Sequence, residues 1–113
     1  MGYINSGKEA GATLHFGGER HGQEGYFIKP TIFTDATNDM KIACEEIFGP
    51  VGVIIKFKTE EEAIALANDT SYGLSSSLFS QNVSRAIRVT NALEAGYTYV
   101  RTNYGSRAML TYT

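Results

Sequence analysis

Val51-Gly52-Val53-Ile54-Ile55-Lys56-Phe57 is a nearly continuous apolar run, the pattern of a strand covered on both faces. Thr59 follows, with Glu62 three residues further on. That spacing is a capping box, in which hydroxyl and carboxylate satisfy free N–H groups at a helix start. Glu60, Glu61 and Glu62 put negative charge where the helix dipole favours it. Ala63, Leu66 and Ala67 share one helical face. Tyr72-Gly73 turns the chain, and Leu74 to Phe79 reads as a second strand. Asn82 can cap a second helix, with Ala86, Val89 and Leu93 on one face. Gly96 ends it, and Tyr97 to Thr102 reads as a third strand. The order β-α-β-α-β over Val51 to Thr102, with short connections, predicts a parallel sheet with right-handed crossovers. The fold class is therefore α/β, with the strand order left open.

Upstream, glycine punctuates the chain. Ala12 to Phe16 is a short strand closed by Gly17-Gly18, and Glu19 to Gly25 is polar and turn-like. Tyr26 to Thr34 reads as a strand. Pro30 interrupts it, which favours a sheet edge or a kink over a central ladder. Asn38 or Asp39 caps a short helix predicted over Met40 to Ile47, with Met40, Ala43 and Ile47 facing a core. Gly49-Pro50 stops that helix. Glu45 and Glu46 at its end oppose the dipole, at a cost of about 0.3–1 kcal/mol each. A local rule broken beside Gly-Pro is where a site is often found.

The 113 residues are 42% hydrophobic, enough for an ordered core in one domain. The net charge is −2, and no block of Lys or Arg is present to neutralise phosphates. Nucleic acid is therefore not an expected partner. No stretch approaches the roughly 20 apolar residues of a membrane span, so no membrane role is expected. The first residues do not read as a signal peptide. The single cysteine, Cys44, cannot make an internal disulfide, which argues against a secreted, stapled scaffold. The cytoplasm is the expected compartment, with the mitochondrial matrix an alternative.

At Glu45-Glu46-Ile47-Phe48-Gly49-Pro50-Val51 the chain resembles the NAD(P)-dependent aldehyde dehydrogenases. The resemblance extends to Gly2-Tyr3-Ile4-Asn5-Ser6-Gly7-Lys8 and to Gly25-Tyr26-Phe27-Ile28-Lys29-Pro30-Thr31-Ile32-Phe33. Downstream it takes in Tyr72-Gly73-Leu74 and Asn91-Ala92-Leu93-Glu94-Ala95-Gly96. Each segment alone is a weak pattern; the collinear series is specific. It implies that residues 1–104 are part of an aldehyde dehydrogenase-like catalytic domain and that 105–113 form a divergent C-terminal tail. The parent reaction it implies is oxidation of an aldehyde to a carboxylic acid with NAD or NADP. It also implies that Glu46 contacts the nicotinamide ribose and that Phe48 packs near the nicotinamide. The chemistry fits, because a carboxylate can accept from two ribose hydroxyls and an aromatic face can restrain a flat ring.

The departures are as informative. In the resembled family the nucleophilic cysteine, the general-base glutamate and the dinucleotide-binding domain lie upstream of the matched region. No catalytic residue is assigned here, and this chain alone is not expected to bind the cofactor tightly. Arg101 stands where the family usually has asparagine, and the motifs fade after Tyr104. Cys44 has no cation beside it in sequence, only Glu45 and Glu46, so a nucleophilic role is not expected. His15 and His21 lack further ligands at metal spacing, and no metal site is expected. The tyrosines from Tyr97 to Tyr104 read as a half-buried strand. The implied partners are the remainder of an aldehyde dehydrogenase subunit or other subunits, with self-association of the isolated chain. Two rival readings are a non-catalytic interaction fragment that caps a sheet edge and a gene record cut short, with no role of its own.

Overall fold

A computed structural model describes residues 1–101 and 110–112. The elements in chain order are α1 (Gly2–Glu9), β1 (Thr13–Phe16), β2 (Thr31–Thr34), α2 (Lys41–Cys44), β3 (Val51–Val53), α3 (Glu60–Asn68), β4 (Ser75–Phe79), α4 (Val83–Ala92), β5 (Tyr97–Arg101) and β6 (Leu110–Tyr112). They form two compact units, Met1–Lys56 and Phe57–Thr113. Thr102, Tyr104 and the boundary expected at 104/105 lie outside the described residues. No described helix is long and apolar enough to cross a membrane.

The first unit is a three-stranded sheet in the order β1-β2-β3. β1 runs antiparallel to β2, and β3 parallel to it. Phe33 of β2, Ile4 of α1 and Ile42 of α2 are fully buried together with Ala12 and Ala36. Pro30 proves compatible with a central strand, contrary to the sequence expectation. It stands just before β2, where its missing N–H removes no ladder bond, and its partners begin at Thr31. Of the strand expected over Tyr26 to Thr34, only Thr31–Thr34 forms, with one isolated bridge from Arg20 to Ile28. Gly17 has a positive φ of 74°, and a Cβ there would meet the Pro30 carbonyl oxygen. Only glycine fits that turn.

α1 has no counterpart in the sequence reading. Gly2, Asn5, Ser6 and Gly7 give it poor intrinsic propensity. Packing supplies what propensity lacks. A Cβ on Gly7 would lie 3.0 Å from both Ile42 Cδ1 and Phe33 Cζ, so the helix seats itself on the sheet through its glycine. Gly7→Val is expected to destabilise the first unit by about 1–3 kcal/mol through overpacking. Thermal unfolding by circular dichroism checks this, and an unchanged midpoint would mean that α1 is not seated through Gly7.

The second unit holds β4, β5 and β6 in the order β5-β4-β6, with β4–β5 parallel and β4–β6 antiparallel. Leu78 of β4 packs against Ala86 and Val89 of α4. Both predicted caps form: Thr59 Oγ1 accepts from the Glu62 N–H, and Asn82 Oδ1 from the Arg85 N–H. The return bond of the capping box goes to the Lys58 N–H, one residue before Thr59. Ala63 and Ala67 are buried as expected. Asn68 ties α3 to the end of α4, donating to the Ala92 carbonyl and accepting from the Glu94 N–H.

The element order β3-α3-β4-α4-β5 matches the sequence reading, but the single parallel sheet does not. β3 pairs with β2 in the first unit, so the parallel crossovers are β2-α2-β3 and β4-α4-β5. Each sheet also carries one antiparallel strand. The run Val51 to Phe57 yields only three strand residues; Val51, Gly52 and Val53 are half-buried, and Ile54 is exposed. Tyr97 and Tyr99 are likewise exposed, so the half-buried reading of that strand is corrected. β5 is an edge strand here and presents both rings outward.

Glu60 at the start of α3 receives Arg88 Nε at 2.6 Å and Arg85 Nε at 3.1 Å from α4. The Arg88 hydrogen bond is the main cause that holds the Glu60 carboxyl below its ordinary value of 4.5. A carboxyl depressed in the fold stabilises it fully above the unfolded value and loses that contribution as pH falls through the lower, folded one. The thermal midpoint should therefore be level from neutral pH down to about 5 and fall below 4.5. Arg88→Met should remove part of that fall, and an identical pH profile for the variant would exclude the pair as its source.

Candidate functional site

The candidate site lies in the first unit, in the segment that joins α2 to β3. α2 is a single turn, Lys41–Cys44, and not the helix expected over Met40 to Ile47. Neither Asn38 nor Asp39 caps it: Met40 is the N-cap, without a side-chain bond. Ile42, not Ala43, is its buried residue; Ala43 is exposed. Glu45 is already extended, with φ −107° and ψ 147°. The dipole argument for Glu45 and Glu46 therefore loses its footing, because one turn carries little macrodipole and Glu46 lies beyond it.

In extended chain, alternate residues share a face. Ile47 turns inward and packs against the core of the first unit. Glu46 and Phe48 flank it, and both are exposed. Phe48 is 93% exposed, so its ring has almost no cover. Two tight turns follow, closed by Gly49 N–H to Ile47 O and Val51 N–H to Gly49 O, each at 2.8 Å. The Thr31 N–H then donates to the Pro50 carbonyl and registers the segment onto β2. Glu46, Phe48 and Pro50 line an open groove of about 300 Å³ with Tyr3 and Ile28.

The two adjacent glutamates differ. The Tyr3 hydroxyl donates to Glu45 Oε2 at 2.7 Å. Lys41 Nζ lies 3.9 Å from the same carboxylate and 5.2 Å from the centre of the Tyr3 ring. Glu45 is thus tied down by a hydrogen bond and an ion pair. Glu46 has no hydrogen-bond or ion-pair partner among the described residues, which leaves both its oxygens free to accept. The sequence reading singled out neither Tyr3 nor Lys41 as a site residue. The i,i+4 spacing of Lys41 and Glu45 was the available signal for that pair; the Tyr3 contact spans 42 residues and had none.

Cys44 is exposed, and its Sγ donates to the Asn38 carbonyl at 2.7 Å. His15 and His21 are exposed, and no cluster of potential metal ligands occurs among the described residues.

Two mixed sheets, each built round a parallel β-α-β crossover, make this an α/β protein. The chain belongs to the aldehyde dehydrogenase family, whose model matches residues 1–112. That match passes Tyr104, where the motif resemblance faded. An aldehyde dehydrogenase of Emericella nidulans is 62% identical over 104 residues, 92% of this chain and 21% of the relative. One from Agaricus bisporus is 60% identical over 100 residues, 88% of this chain and 20% of the relative. Among solved structures, the NAD+ complex of a Bacillus cereus aldehyde dehydrogenase is similar with a TM-score of 0.85 and 47% identity, over 93% of this chain and 22% of that one. A Mycobacterium tuberculosis aldehyde dehydrogenase complexed with NAD+ gives 0.84 and 46%, over 88% of this chain and 21% of that one. The chain spans about a fifth of the length of these relatives.

Proposed function

We propose that residues 1–104 serve as part of the catalytic domain of an NAD- or NADP-dependent enzyme that oxidises an aldehyde to a carboxylic acid, with residues 105–113 a divergent tail. Within it, Glu46 and Phe48 hold the nicotinamide-ribose end of the cofactor. The observation that carries this reading is the pairing of an uncovered Phe48 ring with an unpartnered Glu46 carboxylate along one groove. A carboxylate with both oxygens free can accept from the two hydroxyls of a ribose diol. An exposed aromatic face can restrain a flat ring. When bound, the cofactor would supply the hydride acceptor. Glu46 would hold the ribose and Phe48 would limit the tilt of the ring, so the contribution of this chain would be to orient the acceptor. NAD+ complexes among the relatives support NAD as the cofactor in this reading.

The remainder of the subunit is the proposed partner, and the cytoplasm the proposed compartment, with the mitochondrial matrix as the second choice. In an intact subunit carrying this segment, Glu46→Gln should weaken cofactor binding about tenfold, the worth of one charge-assisted hydrogen bond. Cofactor titration by fluorescence and steady-state kinetics read this out. Unchanged affinity together with unchanged turnover would remove the role from Glu46.

A further inference from the structure

We propose that Tyr3 is a positioning residue for the cofactor segment: through its hydrogen bond to Glu45 it fixes the start of Glu45–Gly49 and so directs Glu46 and Phe48 outward along the groove. This rests on the reading of Glu46 and Phe48 given above.

The middle and the end of the segment are held without Tyr3: Ile47 packs in the core, and the Pro50 carbonyl is bound to β2. Its start follows α2, a single turn whose N-cap lacks a side-chain bond. One helical turn is marginal by itself and makes a poor platform. The firm point nearby is α1, where Ile4 is 1% exposed and fixes the backbone beside Tyr3. The Tyr3 ring packs against the same core, and its hydroxyl reaches Glu45 Oε2 at 2.7 Å. A hydroxyl bound to a carboxylate is among the stronger hydrogen bonds, and a tyrosine side chain has few rotors to freeze. Lys41 sits near both partners and offsets the Glu45 charge, so Glu46 remains the carboxylate open to a ligand. The division of labour between neighbouring glutamates follows: Glu45 aims and Glu46 binds.

The test uses the 113-residue chain, with hydrogen–deuterium exchange by mass spectrometry at low micromolar concentration. Tyr3→Phe removes one oxygen and keeps the ring. It should speed exchange in the peptide covering Glu45–Val51 about tenfold while α3 and α4 peptides stay unchanged. Glu45→Ala should match it, Glu45→Gln should fall between because an acceptor remains, and the double variant Tyr3→Phe/Glu45→Ala should be no faster than either single one. Additive effects, or unchanged exchange in Tyr3→Phe, would overturn the proposal. Nicotinamide mononucleotide, followed by saturation-transfer NMR, tests the underlying reading separately. Transfer to the nicotinamide ring that is lost in Phe48→Ala and weakened severalfold in Tyr3→Phe supports both. No transfer in the unaltered chain, with exchange behaving as expected, would leave Tyr3 holding the segment and defeat the cofactor role of Glu46 and Phe48. Transfer equal in Tyr3→Phe and the unaltered chain would defeat the positioning role alone.

Discussion

Purified alone, the 113-residue chain is expected to show no aldehyde oxidation with NAD or NADP above a buffer blank. Thiol attack on a carbonyl needs a thiolate and a base to manage protons. The sequence holds one thiol, Cys44. Its Sγ already donates to the Asn38 carbonyl, and Glu45 and Glu46 follow it directly. That hydrogen bond ends on a carbonyl, which cannot take up the thiol proton, so no base stands at the sulfur. Both histidines are exposed, and neither hydrogen-bonds to Cys44 among the described residues. Loss of a nucleophile or its base costs up to about a millionfold in enzymes that work by acyl transfer. Measured turnover that disappears in Cys44→Ser would make Cys44 a nucleophile after all. The same chain should bind free NAD only weakly, because the roles proposed for Glu46 and Phe48 reach only the nicotinamide end of the cofactor. A micromolar dissociation constant by calorimetry, about −8 kcal/mol, would contradict that.

What the sequence disclosed tracks how local the signal was. α3 and α4 were legible because Thr59 and Asn82 cap them and Ala63, Ala67, Ala86 and Val89 recur at helical spacing. α1 was not, because its stability comes from Gly7 and Ile4 meeting Ile42 and Phe33, residues 26 or more positions away in the chain. The α2 turn was over-extended for the opposite reason: Ile47 falls at helical spacing from Met40 and Ala43, yet reaches the core from beyond the helix, which ends at Cys44. Strand identity was partly readable and strand partnership was not. Nothing in Val51-Gly52-Val53 says that its neighbour is Thr31–Phe33 and not the next strand along. In the site, Glu46 and Phe48 were visible only through family resemblance. Single exposed residues have no period, and it took the geometry to separate the tied Glu45 from the free Glu46.

The isolated chain is expected to associate. Among the described residues, the buried hydrophobic cluster of the second unit is small: Leu78, Ala86 and Val89. Outside that core, Val83 and Ile87 of α4 are more than half exposed, and with Val100 of β5 they line an apolar groove of about 400 Å³. The Thr90 hydroxyl faces no hydrogen-bond partner there among the described residues. β5 is also a sheet edge, and an edge strand presents unpaired N–H and C=O groups to another chain. β3 is the corresponding edge of the first sheet, with exposed Ile54 just after it. Contiguous apolar surface of this kind is uncommon on a soluble monomer and usually marks a covering partner. The rival outcome is that each unit closes its own small core and the chain stays single. Size-exclusion chromatography with light scattering separates the two: association gives a mass at or above twice 12.3 kDa that rises with concentration. Ile87→Lys places a charge in the middle of the exposed α4 face and should shift the mass towards the monomer without loss of helix signal. A sharp monomer peak for the unaltered chain, with one cooperative thermal transition, would show instead that α4 and β5 need no cover, and would count against the interaction-fragment reading.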